Sequence, residues 1–232
     1  VAALPGLVVE TWLLLPLARP AYVTACAYTD FVQFSGPRQS WLRATFGLEG
    51  RLLPGVRSVW GAAWVFSFSL YPYVYLLSRT ALAERAPQLM EAARLLGASL
   101  PRRLREVALP MARPAVAAGT ALALMEVLAD YGVSVYFGIQ TFTAGIYKAW
   151  LSMDNRIAAA QLATVLLALV VLLLWLEQRA QRRLRFASAS AARAGSGEAR
   201  PVRLRGRRAA LAWLLCLLPV LLGFVLPVLF ML

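Results

Sequence analysis

The chain has 232 residues, of which 60% are hydrophobic, and a formal net charge of +13 at pH 7. Its mean hydropathy is +0.65, whereas ordinary soluble domains are only about 45–50% apolar. The positive charge raises the question of nucleic-acid binding. Its placement argues against that function, because the basic residues other than Lys148 are arginines and most of them lie in two clusters beside apolar blocks. The composition therefore predicts a membrane protein, with the lipid bilayer and no nucleic acid as a partner.

Five apolar blocks are close to the length of ~20 residues that is needed to cross the hydrocarbon core of a bilayer. In chain order they lie at about 8–29, 59–77, 115–137, 157–176 and 209–232. Arg19 interrupts the first block. The second contains Pro72, which predicts a kink that neighbouring helices can tolerate. The sequence therefore predicts an all-α, polytopic transmembrane helical bundle.

The arginine content of the connecting segments predicts their orientation. Residues 79–113 hold seven arginines and three glutamates, and residues 177–208 hold ten arginines and two glutamates. The intervening loop, 138–156, has one lysine, one arginine and one aspartate. Because loops rich in Lys and Arg stay in the cytoplasm, 79–113 and 177–208 are predicted to be cytoplasmic.

The first cytoplasmic segment is predicted to contain a short helix that ends at a glycine. Pro87 suits the first turn of a helix, where its missing N–H is not needed. Residues 88–96 are mainly strong helix formers. Gly97 then takes the position at which a left-handed residue commonly ends a helix. The apolar stripe of this helix is formed by Leu89, Ala92, Ala93 and Leu96.

A second short helix is predicted directly after the glycine. Ser99 and Pro101 are helix-start signals, and residues 102–109 continue the helix as far as Pro110. A small amphipathic pair of this kind suits a groove on a partner protein. Arginine-rich amphipathic helices also lie on lipid surfaces, and the shape alone leaves both interpretations open.

The residues of this segment resemble the EAA motif of the permeases of ATP-binding cassette (ABC) importers. That motif reads EAA, three residues, G, nine residues, I, one residue and LP. The matching positions are Glu91, Ala92, Ala93, Gly97, Val107, Leu109 and Pro110. Valine in place of isoleucine is the one departure, and it keeps a β-branched apolar side chain.

The resemblance implies the type I ABC importer permease fold and a bacterial inner-membrane location. It implies that the segment 79–113 is the EAA coupling loop, which docks into a dimer of ATP-binding subunits. The chain lacks the GxxxxGK[ST] phosphate loop, so ATP and Mg²⁺ are expected on those subunits. No catalytic residue and no cofactor are expected here, and the chain is not expected to be an enzyme. A periplasmic or lipoprotein solute-binding protein is the second implied partner.

Essentially the whole chain resembles the ferric-iron branch of these permeases. The matching stretches include 16–23 (PLARPAYV), 128–132 (LADYG) and 141–147 (TFTAGIY). Permeases for thiamine, sulfate, molybdate and polyamines share the architecture and remain alternatives. A carrier or channel driven by an ion gradient is the alternative from a different class. The EAA motif argues against it, because such a carrier has no need to dock an ATPase.

Two acidic residues, Glu126 and Asp130, lie in the predicted span 115–137. Their i, i+4 spacing predicts that both lie on one face of a helix. Charges inside a span cost about 2.5–3.5 kcal/mol on insertion scales and tend to face a pathway or a partner. One hypothesis is that they line the translocation pathway and favour a cation. The other places Asp130 near the outer interface and pairs Glu126 with an arginine or polar group of another span.

Residues with metal-binding chemistry are scarce. The chain has no histidine, and its two cysteines, Cys26 and Cys216, each lie inside an apolar block. No metal site is predicted, so specificity for iron is expected to reside mainly in the external binding protein. Lys148 and Arg156 are candidate contacts for that protein, and a solvated loop is the other interpretation.

The predicted organisation has three parts. Residues 1–180 form a first transmembrane permease unit, 181–208 a basic flexible cytoplasmic linker, and 209–232 the first span of a second unit. Further spans are expected beyond both ends. Arg19 departs from the family pattern, in which an apolar residue is usual. Three hypotheses stay open for it: snorkelling, facing a wet cavity, or pairing with an acid.

Overall fold

The computed structural model describes residues 10–32, 45, 55–188 and 206–231, and within these ranges the regular structure is helical. The all-α fold class predicted from the sequence is confirmed. A 3₁₀ turn at Leu15–Ala18 precedes helix α1, Ala21–Val32. Helix α2, Val59–Leu95, has 37 residues and continues without a break through Pro72.

Five further helices follow in chain order. Helix α3 is Leu100–Ala129, with a π-helical turn at Leu104–Ala108. Helices α4, Gly132–Phe137, and α5, Phe142–Tyr147, are short, and α5 runs into a π-helical turn at Lys148–Ser152. Helix α6 is Arg156–Ser188. Helix α7 comprises Arg207–Val220, a π-helical turn at Leu221–Val225 and Leu226–Met231.

Three helical segments among the described residues are long and apolar enough to cross a membrane: Leu100–Ala129, Arg156–Arg179 and Ala209–Met231. The second contains the predicted span 157–176, and the third contains all of 209–232 except its last residue. The predicted span 59–77 lies within α2, which carries several tyrosines and tryptophans there and is not among the three.

Two predicted spans are not single helices. The span predicted at 115–137 is wrong at its C-terminal end, because α3 ends at Ala129 and a separate helix begins at Gly132. The span predicted at 8–29 is divided between the 3₁₀ turn and α1. The division falls at Arg19, whose backbone is extended (φ −131°, ψ 142°). The residue before a proline is driven out of the helical region, and Pro20 follows Arg19.

The chain divides into two compact units. One comprises 1–72, 127–164 and 205–232, and the other comprises 73–126 and 165–204. In the described part of the first unit, the core contains Ala25 and Tyr28 of α1, Ala62 and Val65 of α2, and Val133 and Phe137 of α4. Val65 and Val133 are fully buried. The short helix α4 therefore contributes to the core of this unit.

Within the first unit, α7 approaches α2 closely at a glycine. A Cβ atom on Gly223 would overlap the carbonyl oxygen of Phe68. Only a residue without a side chain lets the two backbones come this near. Ring stacking of Phe31 of α1 on Phe230 of α7, with centroids 3.6 Å apart, adds to the same packing.

Arg19 binds the π-helical turn of α7. Its Nη2 lies 3.5 Å from both Thr24 Oγ1 and the carbonyl oxygen of Gly223, and its guanidinium lies 5.2 Å from the centre of the Phe224 ring. The Tyr28 hydroxyl donates to the neighbouring carbonyl of Leu222 at 2.5 Å. A π turn interrupts the regular i→i−4 bonding, and side chains bind carbonyl oxygens at this point. Carbonyl binding of this kind was not among the three hypotheses raised for Arg19.

Within the second unit, Gly119 of α3 packs against the backbone of α2. An added Cβ would lie 2.5 Å from Val74 Cα, so Gly119→Ala forces the helices apart. Gly145 of α5 is a matched control, since its added Cβ would meet only the end of Leu162 at 3.6 Å. We expect Gly119→Ala to destabilise the protein by about 2 kcal/mol, as overpacking does.

Gly145→Ala is expected to be neutral or stabilising by up to about 1 kcal/mol, because alanine is the better helix former. Thermal unfolding of both variants in the same detergent checks the pair. Equal midpoints for the two variants would contradict the close packing at Gly119.

Candidate functional site

The predicted EAA residues lie at the end of a helical hairpin, which we call the coupling hairpin and define as residues 87–110. Its turn is at Gly97, which has φ +78°. The Ala98 N–H donates to the Ala93 carbonyl and the Gly97 N–H to the Arg94 carbonyl, both at 3.0 Å. This pair of bonds is the Schellman motif. The left-handed helix end predicted at Gly97 is therefore confirmed.

The first arm of the hairpin is the end of α2 rather than a separate short helix. The backbone of α2 stays helical through Pro87, so the helix start predicted there is wrong. A proline inside a helix removes one hydrogen bond, and a long helix that is held by tertiary packing can keep its course. The residues Glu91, Ala92 and Ala93 thus belong to the same continuous helix as the predicted span 59–77.

The second arm begins where the sequence predicts but does not end at Pro110. Ser99 is extended (φ −65°, ψ 156°), and α3 starts at Leu100. The π-helical turn Leu104–Ala108 ends two residues before Pro110. In this turn the Leu109 N–H donates to the carbonyl of Leu104, five residues earlier in the chain. This wider turn changes the hydrogen-bond register just ahead of a residue that has no N–H. The helix therefore continues to Ala129.

The tip of the hairpin is apolar and exposed. Leu95 is 85% exposed and Leu96 is 87% exposed. Glu91 and Ala92 are exposed beside them, and Ala93 is half-buried. Two adjacent leucines that are almost fully exposed at a tight turn are typical of an interaction surface. The predicted apolar stripe included Leu96 but not Leu95. The exposure of Leu95 is a result of the turn geometry and not of helical spacing.

The remaining motif residues lie on the second arm. Val107 and Pro110 are half-buried, and Leu109 is 58% exposed. On the surface of this arm, Arg102 Nε and Glu106 Oε2 form an ion pair at 2.9 Å. Both side chains are largely exposed, so the pair is worth at most about 1 kcal/mol.

Glu126 and Asp130 do not share a helix face, because Asp130 lies one residue beyond the end of α3. The prediction of a common face is therefore wrong. Asp130 Oδ2 accepts hydrogen bonds from the N–H groups of Val133 at 2.9 Å and Ser134 at 3.2 Å. This is the bonding of a helix cap, and it holds the start of α4. Glu126 is exposed on α3. A pathway role for either residue stays a prediction.

A threonine side chain hydrogen-bonds a backbone carbonyl at the end of α3, and the sequence analysis did not predict this bond. The Thr143 hydroxyl donates to the Leu128 carbonyl at 2.6 Å. Thr141 caps α5 by accepting from the Ala144 N–H at 3.2 Å. Lys148 and Arg156, the candidate contacts for a binding protein, are both exposed near this region of the chain.

The described residues offer no cluster of three or more His, Cys, Asp or Glu side chains that could hold a metal ion. Cys26 and Cys216 are both free thiols, the first half-buried and the second exposed.

A family model for the binding-protein-dependent transport system inner membrane component matches residues 6–186. The chain belongs to this family. The match covers the coupling hairpin, the two predicted spans before it and the two predicted spans after it. Together with the candidate spans, it makes the chain a multi-pass inner-membrane protein.

Curated relatives are named as transport permeases. The chain is 26% identical over 166 residues to the Fe(3+)-transport system permease protein FbpB 2 of Haemophilus influenzae, covering 72% of this chain and 29% of the relative. It is 29% identical over 168 residues to the sulfate transport system permease protein CysT of Escherichia coli, covering 69% and 58%. It is 30% identical over 174 residues to the inner membrane ABC transporter permease protein YdcU of Escherichia coli, covering 69% and 55%. The chain thus spans less than a third of the first relative and little more than half of the other two.

Proposed function

We propose that this chain is transmembrane machinery of an ATP-driven, binding-protein-dependent importer, and that the coupling hairpin docks on a separate ATP-binding subunit. The exposed pair Leu95 and Leu96 at a rigid, hydrogen-bonded turn carries the proposal. An apolar tip of this kind suits a groove on a partner protein, and the EAA residues lie directly beside it.

The length of α2 supports a projecting hairpin over one that lies on the lipid surface. Its 37 residues make a helix of roughly 55 Å, and the hydrocarbon core of a bilayer is about 30 Å thick. A helix that lies in the interface has to break away from its span at the membrane boundary. Helix α2 has no such break between Val59 and Leu95, which favours an end that continues out of the bilayer.

In the proposed mechanism the hairpin transmits motion. ATP binding closes two ATP-binding subunits, and these carry the docked tip with them. Since α2 and α3 are continuous from the tip into the predicted spans, displacement of the tip rotates or shifts those spans. ATP and Mg²⁺ act on the partner subunits, and the residues of this chain supply the docking surface and the rigid arms.

Ferric iron is the proposed cargo, delivered by a solute-binding protein on the outer side. The support is the resemblance of the whole chain to ferric-type permeases and the likeness to a relative that is named for Fe(3+). The carboxylate of Glu126, exposed on α3, favours a cation over an oxyanion if it lines the pathway. Sulfate is the second candidate cargo, because a sulfate permease is similar over a comparable share of this chain.

The docking proposal predicts the effect of placing charge at the tip. The double variant Leu95→Asp/Leu96→Asp should reduce the ATP-binding subunit that co-purifies with the permease by about tenfold or more, since buried unpaired carboxylates at an interface cost several kcal/mol. Leu151→Asp is the matched control, because Leu151 is an exposed leucine in the π-helical turn before α6, outside the coupling hairpin. Its complex should stay intact. Full retention of the subunit by the double variant would refute the docking site.

The cargo proposal predicts uptake of radioactive ferric iron, and not of sulfate, by vesicles that hold the complete transporter. The variants Asp130→Asn and Glu126→Gln test the two carboxylates. Asparagine at position 130 keeps an oxygen that can cap α4, so this variant removes only the charge. If the two carboxylates line the pathway, each variant should lower iron uptake severalfold while the complex stays assembled. Sulfate uptake by the unmodified protein would move the cargo to the oxyanion class.

A further inference from the structure

One side chain ties the two arms of the coupling hairpin together away from the turn. Arg103 of α3 donates from Nη1 to the backbone carbonyl of Met90 on α2, at 3.4 Å. The side chain is half-buried, and its Nε is shielded from solvent without a hydrogen-bond partner in the described part of the chain. The guanidinium is thus partly buried and hydrogen-bonds across the hairpin.

The neighbouring arginines do not share this position. Arg102 and Arg105 are both exposed, and Arg102 forms its ion pair within its own helix. Arginine suits the half-buried position 103, because its planar guanidinium offers five donors and is more weakly hydrated than an ammonium.

The location of the tie has a mechanical consequence. Met90 precedes Gly97 by seven residues and Arg103 follows it by six, so the tie lies about two helical turns from the reversal. A hairpin held only at its turn can open and close by rotation about a few backbone bonds. A second contact at this distance restricts the range of angles between the arms.

We propose that Arg103 is a positioning residue that locks the coupling hairpin into one rigid piece, so that motion of the docked tip reaches α3 as well as α2. The proposal rests on the proposed function, since it assigns a role within the same docking element. Arg103 itself touches neither nucleotide nor cargo. It acts through the Met90 carbonyl, one residue before the EAA sequence.

The test uses the full transporter reconstituted with its ATP-binding subunit and its binding protein. Arg103→Met should keep the ATP-binding subunit and its ATP hydrolysis but lower the cargo imported per ATP by about fivefold, the size expected for a break in a coupling network. Arg103→Lys should recover part of the loss, because an ammonium can still reach the carbonyl. Arg113→Met, at an exposed arginine of the same helix, should match the unmodified protein.

A covalent tie gives a second readout that a merely structural role would not produce. Met90→Cys/Arg103→Cys, in a chain whose Cys26 and Cys216 are replaced by alanine, should regain import per ATP when a short bismaleimide joins the two thiols. Failure of the cross-linked protein to regain import would overturn the positioning role.

The remaining outcomes separate this inference from the proposed function. Unchanged import per ATP in Arg103→Met, with the ATP-binding subunit still released by Leu95→Asp/Leu96→Asp, would overturn the inference alone. Loss of the subunit in Arg103→Met would also overturn it, because Arg103 would then be needed for docking itself. If the unmodified chain bound no ATP-binding subunit, both proposals would fail.

Discussion

Residues 96–99 join helices α2 and α3, and the reversal depends on Gly97, which has the left-handed conformation. The bonds from Gly97 and Ala98 back into the last turn of α2 satisfy carbonyl groups that would otherwise be left open at the helix end. A residue with a side chain is strained at a φ of +78°. This turn is what keeps Leu95 and Leu96 exposed at a defined point, and a docking surface of fixed shape depends on it.

Two helices, α3 and α7, continue through a proline that follows a π-helical turn. In α3 a π-helical turn ends two residues before Pro110, and in α7 another ends two residues before Pro227. Each helix shifts its hydrogen-bond register ahead of the residue that cannot donate, and so continues. In the predicted span 209–232, where lipid surrounds the helix and water cannot satisfy open backbone groups, this adjustment is more favourable than a break. The π turn of α7 also presents the carbonyls that Arg19 and Tyr28 bind.

Sequence reasoning was most successful where one physical cause dominates. The lengths of the apolar blocks predicted helices, and the glycine after residues 88–96 predicted the left-handed turn. It failed where local signals compete with packing. The local pattern predicts helix boundaries at Pro87 and Pro110, but both residues lie inside long helices, because the hydrogen bonds of the neighbouring turns keep the helix intact.

Other features depend on contacts that no local pattern encodes. Arg19 binds a carbonyl 204 residues away in the chain, and Arg103 reaches across the hairpin to Met90. The end of α3 at Ala129 is different, because a signal was present: Asp130 is a good capping residue, and Gly132 follows it. The apolar run around these residues outweighed that signal in the prediction of a span at 115–137.

The account as a whole depends on the side of the membrane at which the coupling hairpin lies. Leu96→Cys, in a chain whose two native cysteines are replaced by alanine, places one thiol at the exposed tip. A membrane-impermeant maleimide should label this thiol in inside-out vesicles and not in right-side-out vesicles. Added ATP-binding subunit should protect it. Labelling from the outer side would contradict the account, because the hairpin would then be out of reach of an ATPase in the cytoplasm.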